Sequence, residues 1–165
     1  MEQLVREYPP GFGGVERVAH NLASQWGDRV YALQPARLNG DPLQVSYSRR
    51  RLPSLAFGRL LLPLPSVSIL QLLICRRPLL VHLPCPTVLI LLLIARLLRP
   101  GRDLRVYWHS CLTPRSGWSG YFEAIYQSLA YRFAKAFSVI TTSPVLLATL
   151  RCHGFHDQQL TWLAC

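Results

Sequence analysis

The chain has 165 residues, half of them hydrophobic and only 16% charged, with a formal net charge of +10. That balance excludes a disordered chain, and the length fits one domain that buries roughly 70% of the surface its unfolded form exposes. The basic residues are arginine throughout, apart from Lys135. They do not interleave with aromatics as base-stacking proteins require, so no nucleic-acid partner is expected. An anionic membrane surface or a phosphorylated substrate fits the charge, and so does the plain arginine bias of a GC-rich genome.

A first strand is expected at Gln3–Arg6, followed by Tyr8-Pro9-Pro10 and the glycine-rich loop Gly11-Phe12-Gly13-Gly14. A helix then opens, with Val15, Val18, Ala19, Leu22 and Ala23 on one stripe, and Trp26-Gly27 stops it. A second strand follows at Arg29–Leu33. A third is placed at Leu43–Tyr47, after the turn cluster Asn39-Gly40-Asp41-Pro42. Next come a basic segment and the leucine-rich stretch Leu60–Cys75. Leu79–Leu83 reads as a buried strand and Thr87–Leu98 as its helix, ended by Arg99-Pro100-Gly101. Leu104–Trp108 is the fifth strand and runs into His109-Ser110. A helix over 120–136 is expected to pack through Ile125, Leu129 and Phe133. Phe137–Thr141 is the sixth strand, Ser143-Pro144 caps a helix that Gly154 closes, and Leu160–Leu163 is a candidate seventh strand.

Strands alternating with helices imply parallel strands joined by right-handed crossovers. The expected fold is α/β: a Rossmann-like, doubly wound parallel sheet with helices on both faces, forming a single domain over 1–165.

Membrane insertion is disfavoured. The stretch Leu60–Cys75 is broken by Pro63, Pro65 and Gln71, and Leu79–Leu98 by His82, Pro84, Pro86 and Arg96, so neither supplies the roughly 20 apolar residues of a spanning helix. Leu60–Cys75, flanked by arginines, suits a peripheral seat on an anionic membrane. The N-terminus lacks the pattern of a signal peptide, which predicts a cytoplasmic protein. The five cysteines lack zinc or redox spacing and are expected to be reduced, buried thiols. No metal or organic cofactor is expected: His153 and His156 lack partners for a metal site, and no carboxylate pair has the spacing of a glycosidase.

In such sheets ligands bind where the strands end. That singles out the loop Tyr8–Gly14, the segment His82–Pro86 and the segment Trp108–Ser116. The glycine loop at a helix N-terminus suits an anion, yet it is neither a full dinucleotide fingerprint nor a P-loop, and Asp28 falls before the second strand rather than after it. A plain tight turn explains the same glycines. His109 either donates a hydrogen bond to a sugar hydroxyl or carbonyl, acts as a base, or is a structural histidine. His20 is expected to be a packing or surface residue.

Four segments resemble, in order, elements of family 4 glycosyltransferases. They are Tyr8-Pro9-Pro10-Gly11-Phe12-Gly13-Gly14-Val15-Glu16-Arg17, Val81-His82-Leu83-Pro84, Tyr107-Trp108-His109-Ser110 and Val139-Ile140-Thr141-Thr142-Ser143-Pro144. The resemblance implies the N-terminal, acceptor-side half of a GT-B fold, in a retaining, metal-independent enzyme. Such an enzyme moves a sugar from a nucleotide-sugar donor to a cell-envelope glycan or lipid-linked acceptor. It implies that Gly13, Gly14 and Glu16 lie by the donor diphosphate and acceptor and that His109 is the catalytic-site histidine by the donor sugar. It further implies that His82, Ser110 and Ser143 border the cleft. The family's donor-binding pair of glutamates eight positions apart is missing. The chain is therefore expected to be inactive alone and to need a C-terminal domain or partner chain. A non-catalytic or membrane-associated subunit that keeps the fold is the alternative.

Overall fold

A computed structural model describes residues 1–7, 13–35, 45–58, 60–112 and 116–163. The elements run β1 (Glu2–Val5), α1 (Gly14–Trp26), β2 (Arg29–Pro35), β3 (Ser48–Phe57), β4 (Leu60–Pro63), α2 (Val67–Ile74) and β5 (Leu79–Leu83). They continue α3 (Pro86–Leu98), β6 (Leu104–Trp108), α4 (Trp118–Ala134), β7 (Ser138–Thr141), α5 (Pro144–Cys152) and β8 (Leu160–Trp162). One eight-stranded sheet results, in the order β4-β3-β2-β1-β5-β6-β7-β8. Every neighbouring pair is parallel except β3 and β4. The chain steps outward from β1 in one direction to β2 and β3, and in the other from β5 to β8. The reversal between β1 and β5 opens a crevice at their carboxyl ends.

Parallel central strands are covered on both faces, which is why β1 and β5 are buried along their whole lengths. On one face α1 sets Ala19 and Ala23 against Val5, Val30 and Ala32. It sets Leu22 against Leu80 and Tyr107. Gly27 ends it in the left-handed conformation at φ 63°, where a side chain would be strained. The other face carries the larger core, with Leu72, Leu92, Ala130 and Leu150 of α2, α3, α4 and α5 packed over Leu79, Val81 and Val106. Helices thus lie on both faces, but unevenly.

Two expectations about the elements need correction. Of the strand placed at Leu43–Tyr47, residues 43 and 44 lie outside the described residues and 45–47 are not strand. The strand is β3, which runs through Arg49-Arg50-Arg51 and pairs with β2 over seven residues. It is a half-exposed strand near the sheet edge, where polar side chains are tolerated. The leucine-rich stretch, given no element in the sequence, divides in two. Leu60–Pro63 forms the antiparallel edge strand β4 after a turn at Gly58, φ 59°. Ser66 then caps α2 by accepting from the Ile69 amide at 3.3 Å. Finally, Ile125, Leu129 and Phe133 of α4 face outward, at 41%, 44% and 39% exposure. Ala130, Tyr131 and Ala134 make the inward contacts instead. Small residues let the helix lie close to the sheet.

A buried charge cluster closes the sheet end opposite the crevice. Arg102, in the turn before β6, places Nη2 2.9 Å from Glu2 Oε2. It also donates to the carbonyls of Arg77 and Leu72. Arg29 and the Tyr31 hydroxyl reach Glu2 Oε1 at 3.5 and 3.4 Å. Burial lowers the Arg102 pKa and the Glu2 charge opposes that shift. The described cysteines are free, but only Cys85 is buried; Cys75 and Cys111 are partly exposed and Cys152 is exposed.

Candidate functional site

The residues singled out by sequence collect at the carboxyl ends of the strands. Alternation along β5 and β6 points His82, Tyr107 and His109 to the α1 face, because Val81, Leu83, Val106 and Trp108 take the opposite face. The register sets His82 beside Tyr107 and Leu83 beside Trp108. The His109 amide extends this ladder by donating to the Leu83 carbonyl at 3.0 Å. The loop after His109 is pinned. Trp108 Nε1 donates to the Ser110 carbonyl at 3.0 Å. The Leu112 amide donates to Gln127 of α4 at 2.6 Å, and the Tyr131 hydroxyl donates to Cys111 Sγ at 3.1 Å. The Leu83–Pro84 peptide beside it is cis.

The two histidines form one unit. His82 Nδ1 and His109 Nε2 are 2.8 Å apart. Tyr107 stacks on both, with ring centroids 5.5 Å from His82 and 4.6 Å from His109. His82 is buried, whereas His109 is partly exposed. Burial, and then the neighbouring His109, holds the His82 pKa well below the usual histidine range. Burial alone pushes His109 down to about 4. Both rings are therefore neutral near pH 7. His82 Nε2 lies 3.0 Å from Gln3 Oε1 of β1. Gln3 Nε2 donates to Asp28 Oδ2 at 3.2 Å, and the Met1 backbone nitrogen stands 2.9 Å from Asp28 Oδ1. Gln3, Asp28 and Tyr107 carried no functional expectation. The signal available was the polar residues Glu2 and Gln3 in buried β1 and His82 in otherwise apolar β5.

Gly13 takes the N-cap position of α1 with an extended backbone, φ −96°. A Cβ added there would stand 2.2 Å from Glu16 Oε2, so the Glu16 carboxylate folds back over the helix start. A carboxylate at a helix N-terminus is favourable. Among the described residues a Cβ at Gly14 would meet nothing within 4 Å. Ser110 is exposed beside His109. Ser143 occupies the N-cap position of α5, but its side chain makes no capping hydrogen bond, unlike the cap expected. It stands at the end of β7, on the same rim. Tyr8, Pro9, Pro10, Gly11, Phe12, Thr113, Pro114 and Arg115 lie outside the described residues. A cavity of about 330 Å³ opens on the other side of the crevice, lined by Arg6, Leu61, Cys85, Thr87, Phe122 and Tyr126 among others. Thr87 Oγ1 ties its floor together by donating to the Leu61 carbonyl at 2.6 Å.

The other histidines play local parts. His20 pairs with the Tyr47 hydroxyl at 2.9 Å. His153 stacks on Tyr131, and His156 caps the short turn Asp157–Gln159. Among the described residues no group of three or more His, Cys, Asp or Glu could hold a metal ion. No helix there is long and apolar enough to cross a membrane.

The site sits on a Rossmann-like sheet of the kind found in GT-B glycosyltransferases, with a crevice at the β1/β5 reversal, a glycine-led helix on one side and a histidine pair at the strand ends. The chain belongs to glycosyltransferase family 4, whose sequence model matches residues 12–164. Among solved structures it resembles Anabaena Alr3699/HepE, a crystal structure in complex with UDP and glucose, with a TM-score of 0.61 at 16% identity. The match covers 99% of this chain but 43% of that one. No curated protein sequence matches.

Proposed function

We propose that this chain is the acceptor-side domain of a retaining glycosyltransferase that moves a sugar from a nucleotide-sugar donor to a cell-envelope glycan or lipid-linked acceptor. The observation that carries the proposal is the His82–His109 pair at the β1/β5 crevice, with one ring buried as a support and the other partly exposed. UDP and glucose in the HepE structure support a nucleotide-sugar donor. His109 meets the donor sugar and orients it. The α1 N-terminus offers unpaired amides to the leaving diphosphate once the Glu16 carboxylate swings off Gly13. Catalysis is then positioning and charge stabilisation. A second Rossmann-like domain, in the same polypeptide or a partner chain, holds the nucleotide. The apolar-walled cavity beside Phe122 and Tyr126 suits an acceptor with a lipid portion. The basic chain works at the anionic inner face of the plasma membrane, with the exposed side of α4 against the lipid.

The test is sugar transfer from radiolabelled nucleotide sugars to membrane-extract acceptors by the enzyme that contains this domain. His109→Ala is expected to lower transfer roughly 100-fold, the loss seen when one preorganised polar contact is removed. Transfer unchanged in His109→Ala would sink the role given to His109. Absence of transfer and of nucleotide-sugar binding with the second domain present would instead favour a non-catalytic subunit.

A further inference from the structure

A carboxylate can only accept hydrogen bonds, and this fixes the direction of a whole chain of them. Asp28 is 2% exposed; its Oδ2 accepts from Gln3, and its Oδ1 makes no hydrogen bond but stands 2.9 Å from the Met1 nitrogen. The Gln3 group facing Asp28 must be its NH₂, so its carbonyl oxygen faces His82 at 3.0 Å. A carbonyl is also only an acceptor, so His82 carries its proton on Nε2. A neutral imidazole has one N–H, and burial keeps His82 neutral. Its Nδ1 is therefore a bare acceptor. The group 2.8 Å away, His109 Nε2, must supply the proton. The lone N–H of a neutral His109 is thereby used inside the protein. Among the described residues Nδ1 of this partly exposed ring meets no protein partner.

We propose that Asp28 and Gln3, acting through His82, are positioning residues that lock His109 as the Nε2-protonated tautomer, so that its Nδ1 accepts a hydrogen bond from a ligand hydroxyl instead of donating one. This is the opposite of hydrogen-bond donation, one of the roles that the sequence leaves open for His109. The ligand being a sugar rests on the function proposed above; the tautomer does not. The four members run from the amino end of the sheet, at Asp28, to the carboxyl end of the strands, at His109. Gln3 lies in β1, Asp28 before β2, His82 in β5, and His109 at the end of β6. Gln3 and His82 are buried, so water does not compete for these bonds.

The experiment is a long-range proton–nitrogen correlation spectrum of the protein labelled with ¹⁵N-histidine, at neutral pH and without ligand. His82 and His109 are each expected to show a protonated Nε2 and a bare Nδ1. A wild-type spectrum with His109 protonated on Nδ1 overturns the proposal by itself. Asp28→Asn tests the relay. The new side-chain oxygen is expected to keep the position 2.9 Å from the Met1 nitrogen, where an NH₂ would be repelled, which turns the new NH₂ toward Gln3. Gln3 must then turn over, and both histidines move their protons to Nδ1. Adding Gln3→Glu to Asp28→Asn restores an acceptor that faces both the new amide and His82, and with it the wild-type pattern. In transfer assays Asp28→Asn is expected to lose about tenfold, the worth of one hydrogen bond, and the double variant to regain it. An unchanged tautomer in Asp28→Asn removes Asp28 and Gln3 from the mechanism. The expected spectrum with transfer unaffected by His109→Ala leaves the relay intact and rejects the sugar-binding role.

Discussion

The strand-end histidine pair makes stability depend on pH in a defined sense. The folded pKa of His109 is lowered by burial to about 4, and that of His82 lies well below 6.5. Above pH 6.5 both are neutral folded and unfolded, and the fold keeps its full stability. As the pH falls below 6.5 the unfolded chain takes up protons that the folded rings refuse, and stability is lost until the folded pKa is reached. For His109 the gap from 6.5 to about 4 corresponds to roughly 3 kcal/mol at 1.36 kcal/mol per unit. The rings touching it are those of His82 and Tyr107. Urea unfolding at pH 7.5 and pH 5 is expected to show a larger loss for the wild type than for the double variant His82→Asn with His109→Gln. Equal losses in the two proteins would contradict the burial-lowered values. Carboxylates elsewhere titrate in both proteins and cancel in that difference.

At the scale of elements, the sequence pattern read the centre of the sheet well and its margins poorly. β5 and β6 are short apolar runs ended by turn residues, and a strand buried on both faces has no other way to be written. α1 carries its stripe and its terminal glycine together, so both its faces and its stop were legible. β3 was missed because three consecutive arginines do not look like a strand. Pairing with β2 on one side and β4 on the other outweighed their propensity. The α4 stripe misled because apolar spacing shows that a helix has an apolar face, not which body covers it. The Gln3–His82–Asp28 chain was invisible for a related reason. Its members are 25 and 79 positions apart, and only the parallel pairing of β1 with β2 on one side and β5 on the other brings them together. The same limit hid Arg102, which follows a plain turn in the sequence yet is buried against Glu2, 100 positions away. That pair joins β1 to the α2 end and the α3–β6 turn. Glu2→Gln leaves a buried guanidinium without its counter-charge and is expected to cost roughly 3–5 kcal/mol. Replacing both members, Glu2→Gln with Arg102→Met, is expected to recover part of that loss. Thermal unfolding measures both, and a double variant less stable than Glu2→Gln would contradict the account.

At the scale of the whole molecule, charge and apolar exposure coincide along α4. Trp118, Tyr121 and Phe122 are 80%, 61% and 65% exposed, and Ile125, Leu129 and Phe133 continue the row toward exposed Arg132 and Lys135. Aromatic rings at one end and cations at the other are what a helix lying in a headgroup layer needs. A chain of net charge +10 adds long-range attraction to anionic lipid. The helix also borders the cavity proposed for the acceptor, through Phe122 and Tyr126. A membrane seat on α4 would therefore bring a lipid-borne substrate to the site directly. Co-sedimentation with phosphatidylglycerol vesicles is expected to exceed that with phosphatidylcholine vesicles and to fall with added salt. The double variant Trp118→Ser with Leu129→Ser replaces exposed residues, so it keeps the core. It is expected to bind anionic vesicles at least tenfold more weakly, since each large apolar side chain is worth roughly 1.5–3 kcal/mol when fully withdrawn from water. Equal binding to both lipids, or wild-type binding by the double variant, would remove the membrane from this face. If the variant instead lost its hold on a donor-binding domain while still sedimenting with vesicles, the α4 row would be an interdomain surface.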